Sequence, residues 1–365
     1  MTKIAFVIGG LPFGGVENWL FDIAKRMKGC ASYRCRIFNV SGTGVKMPEF
    51  EIEGLDVVCI GKSNASASTH RIDTALHLRR ELRKYAPDII HTLHFSGDYF
   101  GRIAAIGLGI PVITHIRNVK REKKAFRRFA NLFLSLFTDA YISISKAVYD
   151  VVNKDHNIFR RKHFVLYNSI DTSRLDCVAY DLRKMYGIKG RVVIGIGRYV
   201  EQKNFESLIC AIKILVDQAK DVCLVLVGDG SKRGRYENLA RELGLSGQVV
   251  LTGYRKEVGA FLRGADLLAM PSLFEGFGNV HLEAMHCGVP GVISQFVPSL
   301  EVGAEASIIS DCTPESIAEG IAHLLDDQQK YQQLVDAGRR IVSEYTIEKY
   351  WERLCSVYAE VLSWN

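Results

Sequence analysis

The sequence lacks the features that mark membrane-spanning, secreted and disulfide-bonded proteins. No apolar run approaches the roughly 18–20 residues that a bilayer-spanning helix needs. The start, MTKIAFVIGG, has one lysine and a short apolar run broken by glycine, which predicts a buried first strand rather than a signal peptide. The nine cysteines form no CxxC pair, and such an odd, scattered set is typical of reduced thiols in a cytosolic protein.

Two common nucleotide-binding motifs are also missing. The glycine-rich stretches lack the G-x-G-x-x-G spacing of NAD-dependent dehydrogenases, and no Walker lysine is present. A dehydrogenase is therefore the least favoured of the nucleotide-binding enzymes.

The charge, in contrast, is abundant and unevenly placed. Residues 1–175 hold 27 Lys and Arg against 15 Asp and Glu, which is a net charge of +12, whereas the remainder carries −5 of the total of +7. A basic first half predicts an anionic partner there: a membrane surface, a phosphorylated lipid or a nucleic acid.

The length of 365 residues predicts two domains, and the hydrophobic pattern repeats accordingly. Near-continuous apolar runs alternate with amphipathic stretches, which predicts parallel strands covered by helices on both faces. The predicted strands are 3–9, 34–40, 56–60, 88–91, 112–115, 140–144 and 164–166, then 191–196, 222–227, 249–252, 266–270 and 291–294. The segment 168–189 shows neither period and is predicted to be a linker between two doubly wound domains that face each other across a cleft.

Two glycine-rich loops follow predicted strands, where such sheets bind ligands. In the first, Gly9–Asn18, glycine and a helix N-terminus favour an anion, although a tight turn without a ligand explains the loop equally well. The second, Gly195–Asn204, adds Arg198 and Lys203, which could both reach one diphosphate. Two solvated surface cations are the alternative.

The third loop, Glu275–Glu283, carries the strongest pattern. Its glycines precede a helix that is predicted to begin near Asn279, whose first N–H groups can hold phosphate oxygens. Carboxylates accept hydrogen bonds, so Glu275 and Glu283 suit the hydroxyls of a sugar and a ribose. Acidic residues that complement the helix dipole would explain Glu275, but they explain poorly a glutamate one turn further into the helix.

The segment Ala265–Pro290, ADLLAMPSLFEGFGNVHLEAMHCGVP, resembles glycosyltransferase family 4, whose signature is two glutamates separated by seven residues in an EGFG…LEAM context. The likeness extends to GGVENWLFDIAKRM at 14–27, GRYVEQKN at 197–204, GDG at 228–230 and GYRKEVGAFLRGAD at 253–266. It implies a GT-B fold of two Rossmann-like domains, with residues 1–172 on the acceptor side and 173–346 binding the nucleotide sugar. A C-terminal helix of about 347–365 is expected to pack back on the first domain.

The resemblance also implies roles for individual residues. Arg198 and Lys203 would bind the donor diphosphate, Glu275 the transferred sugar and Glu283 the ribose. The expected donor-binding residues are Gly14, Gly15, Arg198, Lys203, Gly228, Arg255, Glu275, Phe277, Gly278, Asn279, Val280 and Glu283. Asn168 and Asp171, in NSID, match the family's N-G-[VI]-D with a serine in place of the glycine.

One departure concerns a histidine that family members place near the transferred sugar. Arg117 occupies that position here, and His115 lies two residues earlier, on the same face of a strand. Either could act near the anomeric carbon, and His91 and His94 are further candidates. The expected catalytic residues are Glu275, Arg198, Lys203, His115 and Arg117.

The expected chemistry is retaining transfer without a metal. Many transferases neutralise the departing diphosphate with a divalent cation held by Asp-x-Asp, and this pair occurs nowhere in the sequence. Arg198 and Lys203 are the available substitutes, so no metal or other cofactor is expected.

The acceptor is expected at a membrane. Seven cations within 117–128 precede apolar residues spaced by three and four up to Phe137, so the stretch Arg117–Phe137 predicts a helix that can lie on anionic lipid or pack its stripe on the sheet. We expect a lipid-linked oligosaccharide or lipopolysaccharide acceptor, a UDP-sugar donor, no nucleic-acid partner and a peripheral position on the cytoplasmic face of the inner membrane. The alternatives are a GT-B nucleotide-sugar epimerase and a non-catalytic basic protein that binds membranes or nucleic acid.

Overall fold

The computed structural model describes residues 1–12, 14–61, 72–117, 125–155 and 157–364. The chain divides into two compact units. Unit 1 comprises Met1–Tyr167 and Tyr350–Asn365, and unit 2 comprises Asn168–Lys349.

Unit 1 contains a parallel sheet whose strands are buried by helices. Its strands are β1 (Thr2–Ile8), β2 (Tyr33–Asn39), β3 (Val57–Cys59), β4 (Ile89–Leu93), β5 (Val112–Ile116), β6 (Ala140–Ser143) and β7 (Lys162–Val165). Its helices include α1 (Gly15–Lys28), α2 (Met47–Ile52), α3 (Ile72–Tyr85), α4 (His94–Ala105), α5 (Ala125–Leu134) and α6 (Lys146–Asp155). The order β3-β2-β1-β4-β5-β6-β7 reverses direction between β1 and β4, so the loops after these two strands border a natural ligand crevice.

Unit 2 repeats this plan with its own core. Its helices are α7 (Leu182–Tyr186), α8 (Phe205–Asp217), α9 (Arg233–Glu242), α10 (Val258–Arg263), α11 (Asn279–Cys287), α12 (Leu300–Gly303), α13 (Pro314–Asp326) and α14 (Gln328–Val342). Its strands are β8 (Arg191–Ile196), β9 (Val222–Val227), β10 (Val249–Leu251), β11 (Leu267–Met270), β12 (Gly291–Ser294) and β13 (Ser307–Ser310). The order β10-β9-β8-β11-β12-β13 places the reversal between β8 and β11.

The last helix, α15 (Ile347–Leu362), contributes aromatic side chains to unit 1. Tyr350 meets Trp19 edge-on, with ring centres 6.0 Å apart, and Trp351 meets Tyr33 at 5.2 Å. Among the described residues, no helix combines the length and the apolar character needed to cross a bilayer.

The prediction of two doubly wound parallel domains is confirmed, with three local differences. The segment predicted to be a linker contains α7, whose Leu182 is buried in the core of unit 2. Strand β13 was not predicted, and neither it nor α7 is long enough to show a period. Helix α4 begins at His94 rather than at Gly97.

Candidate functional site

The loops after β8 and β11 meet at the point where the strand order of unit 2 reverses. The Lys203 Nζ donates a hydrogen bond to Glu275 Oε1 at 2.6 Å, and these side chains are only 15% and 12% exposed. Lys203 follows β8 and Glu275 follows β11, so the ion pair spans the reversal. Doubly wound sheets bind ligands at this position, so the cation and the carboxylate are both placed to contact a polar ligand.

Backbone contacts hold the two loops together. Gln202 donates its side-chain amide to the carbonyl of Phe274 at 2.8 Å, and the Leu273 N–H donates to the Gln202 carbonyl at 2.9 Å. The stem of Lys203 packs over Gly197, where a Cβ atom would lie 2.6 Å from Lys203 Cε. The position of Lys203 is therefore fixed by its neighbours as well as by Glu275.

Helix α11 brings Glu283 close to the same pair. Burial raises the pKa of Glu283 to about 7, and the nearby charges of Lys203 and Arg174 oppose that rise. Arg174 also forms an ion pair with Asp171 at 3.1 Å. The charges of Lys203 and Arg174 thus both act on Glu283, and Lys203 is also paired with Glu275.

The start of α11 offers donors beside this cluster. Gly278 adopts a left-handed conformation, with φ of 102°, and precedes the first helical residue, Asn279. The backbone N–H groups of Asn279 and Val280 belong to the first turn, so they lack partners within the helix. Asn168 donates to Asn279 Oδ1 at 2.9 Å, and Phe277 is buried beneath the loop. An anion can bind at this turn.

Three other predicted donor-binding residues lie on neighbouring loops of unit 2. Arg198 follows β8 and is exposed, and within the described part of the chain its guanidinium makes no hydrogen bond or ion pair. The Gly228 N–H donates to the Gly253 carbonyl at 3.0 Å, which ties the loop after β9 to the loop that carries Arg255. Arg255 is also exposed.

The backbone at position 228 requires glycine. Its φ is +143°, and a Cβ atom would lie 1.9 Å from the Gly197 carbonyl oxygen. We therefore expect Gly228→Ala to lower the free energy of unfolding by at least about 2 kcal/mol. Gly234→Ala is the control, because a Cβ atom there meets nothing within 4 Å. Urea unfolding of both variants measures the difference, and equal stability would contradict the clash.

In unit 1, the glycines of the first loop differ from each other. A Cβ atom at Gly14 would lie 2.5 Å from Glu17 Oε2, whereas one at Gly15 would meet nothing within 4 Å. Glu17 is buried, burial raises its pKa, and its Oε1 lies 3.3 Å from His94 Nε2. Gly14 thus makes room for a carboxylate, and only Gly15 leaves space for a ligand.

Arg117 and His115 belong to a hydrogen-bonded row inside unit 1. Arg117 Nη1 lies 3.3 Å from His115 Nε2, His115 Nδ1 lies 3.1 Å from His91 Nε2, and His91 Nδ1 lies 2.8 Å from the Tyr358 hydroxyl. Because arginine only donates, His115 Nε2 accepts. His115 then donates its Nδ1–H to His91 Nε2, and His91 donates its Nδ1–H to the Tyr358 hydroxyl. Burial lowers the pKa of His91 to about 3 and that of His115 well below its usual value, so both rings are neutral.

This row separates the two candidates for the family's histidine. Both ring nitrogens of His115 are engaged, and the side chain is buried. Arg117 remains partly exposed and lies over the Trp19 ring at 4.7 Å. The geometry holds both side chains in place, and Arg117 is the more exposed of the two.

The predicted basic helix is only partly described, because residues 118–124, with most of the cations, lie outside the described residues. Helix α5 buries Ala130, Asn131 and Leu134, and Asn131 accepts a hydrogen bond from buried Arg102 at 2.7 Å. Its aromatic residues Phe129 and Phe133 are 71% and 55% exposed. The alternative that this apolar stripe packs on the sheet is therefore wrong for these two residues.

Sequence reasoning missed two members of the sites. Arg174 is a single cation in a segment without periodicity, and no local signal marks it. Glu17 lies in the first glycine-rich loop, where an acidic residue in the first turn of a helix was a usable signal. Within the described residues, no three His, Cys, Asp or Glu side chains are grouped as metal ligands are.

Two family models match the chain, and each covers one half. The model described as Glycosyltransferase Family 4 matches residues 13–174, and the one described as Glycosyl transferases group 1 matches residues 182–341. Together they include the loops at the strand-order reversals of both units.

Individual proteins give the same result. The UDP-Gal:alpha-D-GlcNAc-diphosphoundecaprenol alpha-1,3-galactosyltransferase of Escherichia coli is 24% identical over 79% of this chain and 79% of its own. The lipopolysaccharide core biosynthesis glycosyltransferase LpsD of Rhizobium meliloti is 34% identical over 43% of this chain and 46% of its own. The crystal structure of HepE from Anabaena in complex with UDP has a TM-score of 0.87 at 21% identity and covers 98% of this chain and 100% of HepE. The chain is a glycosyltransferase of the group 1 and family 4 type, with the GT-B fold.

Proposed function

We propose that this enzyme transfers a hexose or N-acetylhexosamine from a UDP-sugar to a lipid-linked oligosaccharide or a lipopolysaccharide-type acceptor, with retention at the anomeric carbon and without a metal. The observation that carries the proposal is the part-buried Lys203–Glu275 pair where the strand order of unit 2 reverses. It offers a cation to a diphosphate and a carboxylate to sugar hydroxyls in one place.

The reaction needs charge neutralisation at the leaving group. The bond between the anomeric carbon and the diphosphate oxygen breaks, and the electron pair leaves with the nucleoside diphosphate. Lys203, Arg198 and the first N–H groups of α11 stabilise this developing charge. The acceptor oxygen then forms its bond on the same face of the sugar, and its proton passes to the departing diphosphate.

The two carboxylates bind different parts of the donor. Glu275 accepts hydrogen bonds from the transferred sugar, and Glu283 accepts them from the ribose. Since Lys203 contacts Glu275 and also acts on the charge of Glu283, one cation orders both ends of the donor. The UDP and UDP-glucose complexes of HepE support uracil as the base.

The acceptor proposal draws on two kinds of support. The Escherichia coli relative acts on a diphosphoundecaprenol-linked sugar by its name, and LpsD is named for lipopolysaccharide core synthesis. The exposed aromatic face of α5, in the basic half of the chain, is suited to the surface of an anionic bilayer. A peripheral position on the cytoplasmic face of the inner membrane follows from this proposal.

A panel of nucleotide sugars tests the donor. UDP-glucose, UDP-galactose, UDP-N-acetylglucosamine and their GDP and ADP counterparts are compared by thermal shift, since a ligand at 100 times its Kd adds about 2.7 kcal/mol of stability. The proposal expects a UDP-sugar to give the largest shift. Product NMR that shows an inverted anomeric carbon contradicts retention, and loss of activity in EDTA contradicts metal independence. Exchange at the sugar without any acceptor would favour an epimerase.

Flotation with vesicles tests α5. We expect Phe129→Ser with Phe133→Ser to reduce binding to phosphatidylglycerol-containing vesicles at least about tenfold, because both exposed rings lose their place in the interface. The matched control is Ile72→Ser with Leu76→Ser, an exposed apolar pair on α3 of the same unit. Equal loss in both variants would show that α5 has no special part in membrane contact.

A further inference from the structure

A second basic surface of unit 1 lies where α6 ends and β7 begins. A pocket of about 570 Å³ opens there, and its lining includes Asn157, Arg160, Arg161 and Lys162. It lies at the amino end of β7, whereas doubly wound sheets bind their substrates at the carboxyl ends of the strands. The pocket is therefore separate from the predicted donor and acceptor residues.

The backbone of this pocket is held in place by Asn157. Its side-chain oxygen accepts from the Arg161 N–H at 2.7 Å, and its amide donates to the Arg161 carbonyl at 2.9 Å. Arg160 adopts a left-handed conformation with φ of 51°, which is uncommon outside glycine. Because both backbone groups of Arg161 are bonded, the backbone that carries these consecutive cations is fixed at the edge of the pocket.

The charge of the pocket comes from its arginines. His163 is stacked on Tyr149, with ring centres 4.2 Å apart, and burial lowers its pKa to about 4, so the ring is neutral. Lys162 is paired with Glu360 of α15 at 2.8 Å. Arg160 and Arg161 are both exposed, and neither forms an ion pair within the described residues. Two arginines therefore remain for an anion.

Apolar side chains border these arginines. Ile158 and Phe159, which directly precede Arg160, are 47% and 45% exposed. The Arg161 guanidinium reaches the Leu136 carbonyl at 3.5 Å, and Leu136, just beyond α5, is itself 42% exposed. Exposed apolar residues next to cations are typical of surfaces that enter the headgroup region of a bilayer.

We propose that this pocket binds the phosphate of an anionic phospholipid headgroup through Arg160 and Arg161, while Ile158 and Phe159 enter the interface beside it. This inference rests on the membrane contact in the proposed function, and it adds a site that recognises a lipid phosphate. Together with the exposed face of α5, the site gives unit 1 two neighbouring contacts with one membrane. Two contacts restrict the rotation of unit 1 on the bilayer, which a single helix does not.

Charge reversal tests the site. We expect Arg160→Glu with Arg161→Glu to lower the partition onto phosphatidylglycerol–phosphatidylcholine vesicles at least about 30-fold, since each cation near an anionic surface contributes and each reversal also adds repulsion. The control is Arg80→Glu with Arg83→Glu on α3, which makes the same change in net charge at two exposed positions of unit 1. An equal loss in the control would overturn the proposal in favour of general attraction. Ile158→Ser with Phe159→Ser should also lower the partition while leaving all cations in place.

Two further readouts separate the possible outcomes. Titration of the wild-type protein with sn-glycerol 3-phosphate, followed by NMR, tests a soluble phosphate. Tight binding of that probe, with flotation of the double arginine variant unchanged, would assign the pocket to a free phosphate and overturn the lipid proposal. Nucleotide-sugar binding by thermal shift should be unchanged in all these variants. Loss of flotation with donor binding intact supports the lipid site, and absence of donor binding in the wild-type protein would instead refute the proposed function.

Discussion

Replacement of Lys203 by alanine is expected to slow sugar transfer by about 10²–10³-fold, as removal of one well-placed donor to a developing negative charge does in other enzymes. In the proposed mechanism, Lys203 has two tasks in the site. Its ammonium group stabilises the departing diphosphate, and its 2.6 Å contact keeps the Glu275 carboxylate in place for the sugar. Both tasks require the ion pair at the switch point of unit 2.

The same substitution is expected to destabilise the protein. Loss of one partner leaves Glu275, which is 12% exposed, without its counter-charge, and an unpaired, part-buried charged group costs about 1–3 kcal/mol. The matched control is Lys232→Ala, because Lys232 and Glu206 form a pair at 3.1 Å in the same unit with both side chains 33% exposed. That exposed pair should contribute at most about 1 kcal/mol and should not affect turnover.

Arg198→Ala provides the contrast to Lys203→Ala. Arg198 is exposed and its guanidinium has no partner among the described residues, so its loss should slow turnover by a similar factor without lowering the melting temperature. Steady-state rates at saturating donor, together with thermal unfolding, distinguish the two variants. If Lys203→Ala lost stability but kept its turnover, the ion pair would be structural and the proposed role in leaving-group stabilisation would be wrong.

Glu283→Gln is expected to make the free enzyme more stable at pH 8 and less able to bind its donor. Burial raises the pKa of Glu283 to about 7 in the folded protein, above the value of 4.5 for an ordinary glutamate. Below pH 4.5 the group is protonated in both the folded and the unfolded state, and its contribution to stability is fully present. As pH rises from 4.5 to 7 the unfolded state gives up its proton first, so this stability is lost.

The amide removes that loss. We expect the variant to gain about 1–3 kcal/mol of unfolding free energy at pH 8 and nothing near pH 4.5. Donor affinity should fall roughly 10–100-fold, because a charged acceptor of the ribose hydroxyls is replaced by a neutral one. Urea unfolding at both pH values and calorimetric titration with the donor measure the two effects. A variant that is less stable at pH 8 would show that the attraction of Lys203 and Arg174 for the Glu283 carboxylate outweighs the cost of its burial.

The row from Arg117 to Tyr358 illustrates how far local sequence reasoning reaches. The sequence placed His115 and Arg117 at the end of one strand, and the structure agrees. It could not assign their roles, because the partner that completes the row, Tyr358, is 267 residues away from His91 on α15. Only that contact occupies both nitrogens of His91 and fixes the direction of its proton.

Helix α5 shows a second limit of periodicity. The spacing of Phe129 and Phe133 correctly put them on one face, but a period does not say whether that face is inside or outside. The tertiary packing decides it: Asn131 accepts a hydrogen bond from buried Arg102, Ala130 and Leu134 are buried beside it, and the two aromatic rings are left outward.

The sequence by itself determined the two parallel sheets, the glycine-rich loops at their carboxyl ends and the helix that begins at Asn279, because continuous apolar runs and glycines act through neighbouring residues. Tertiary structure alone decided that Lys203 meets Glu275, 72 residues away, and that the charge of Arg174 acts on Glu283. The physical reason is the strand order: β8 and β11 are adjacent in the sheet although β9 and β10 separate them in the chain. Adjacent parallel strands bring their following loops together, and no local pattern records which strands become neighbours.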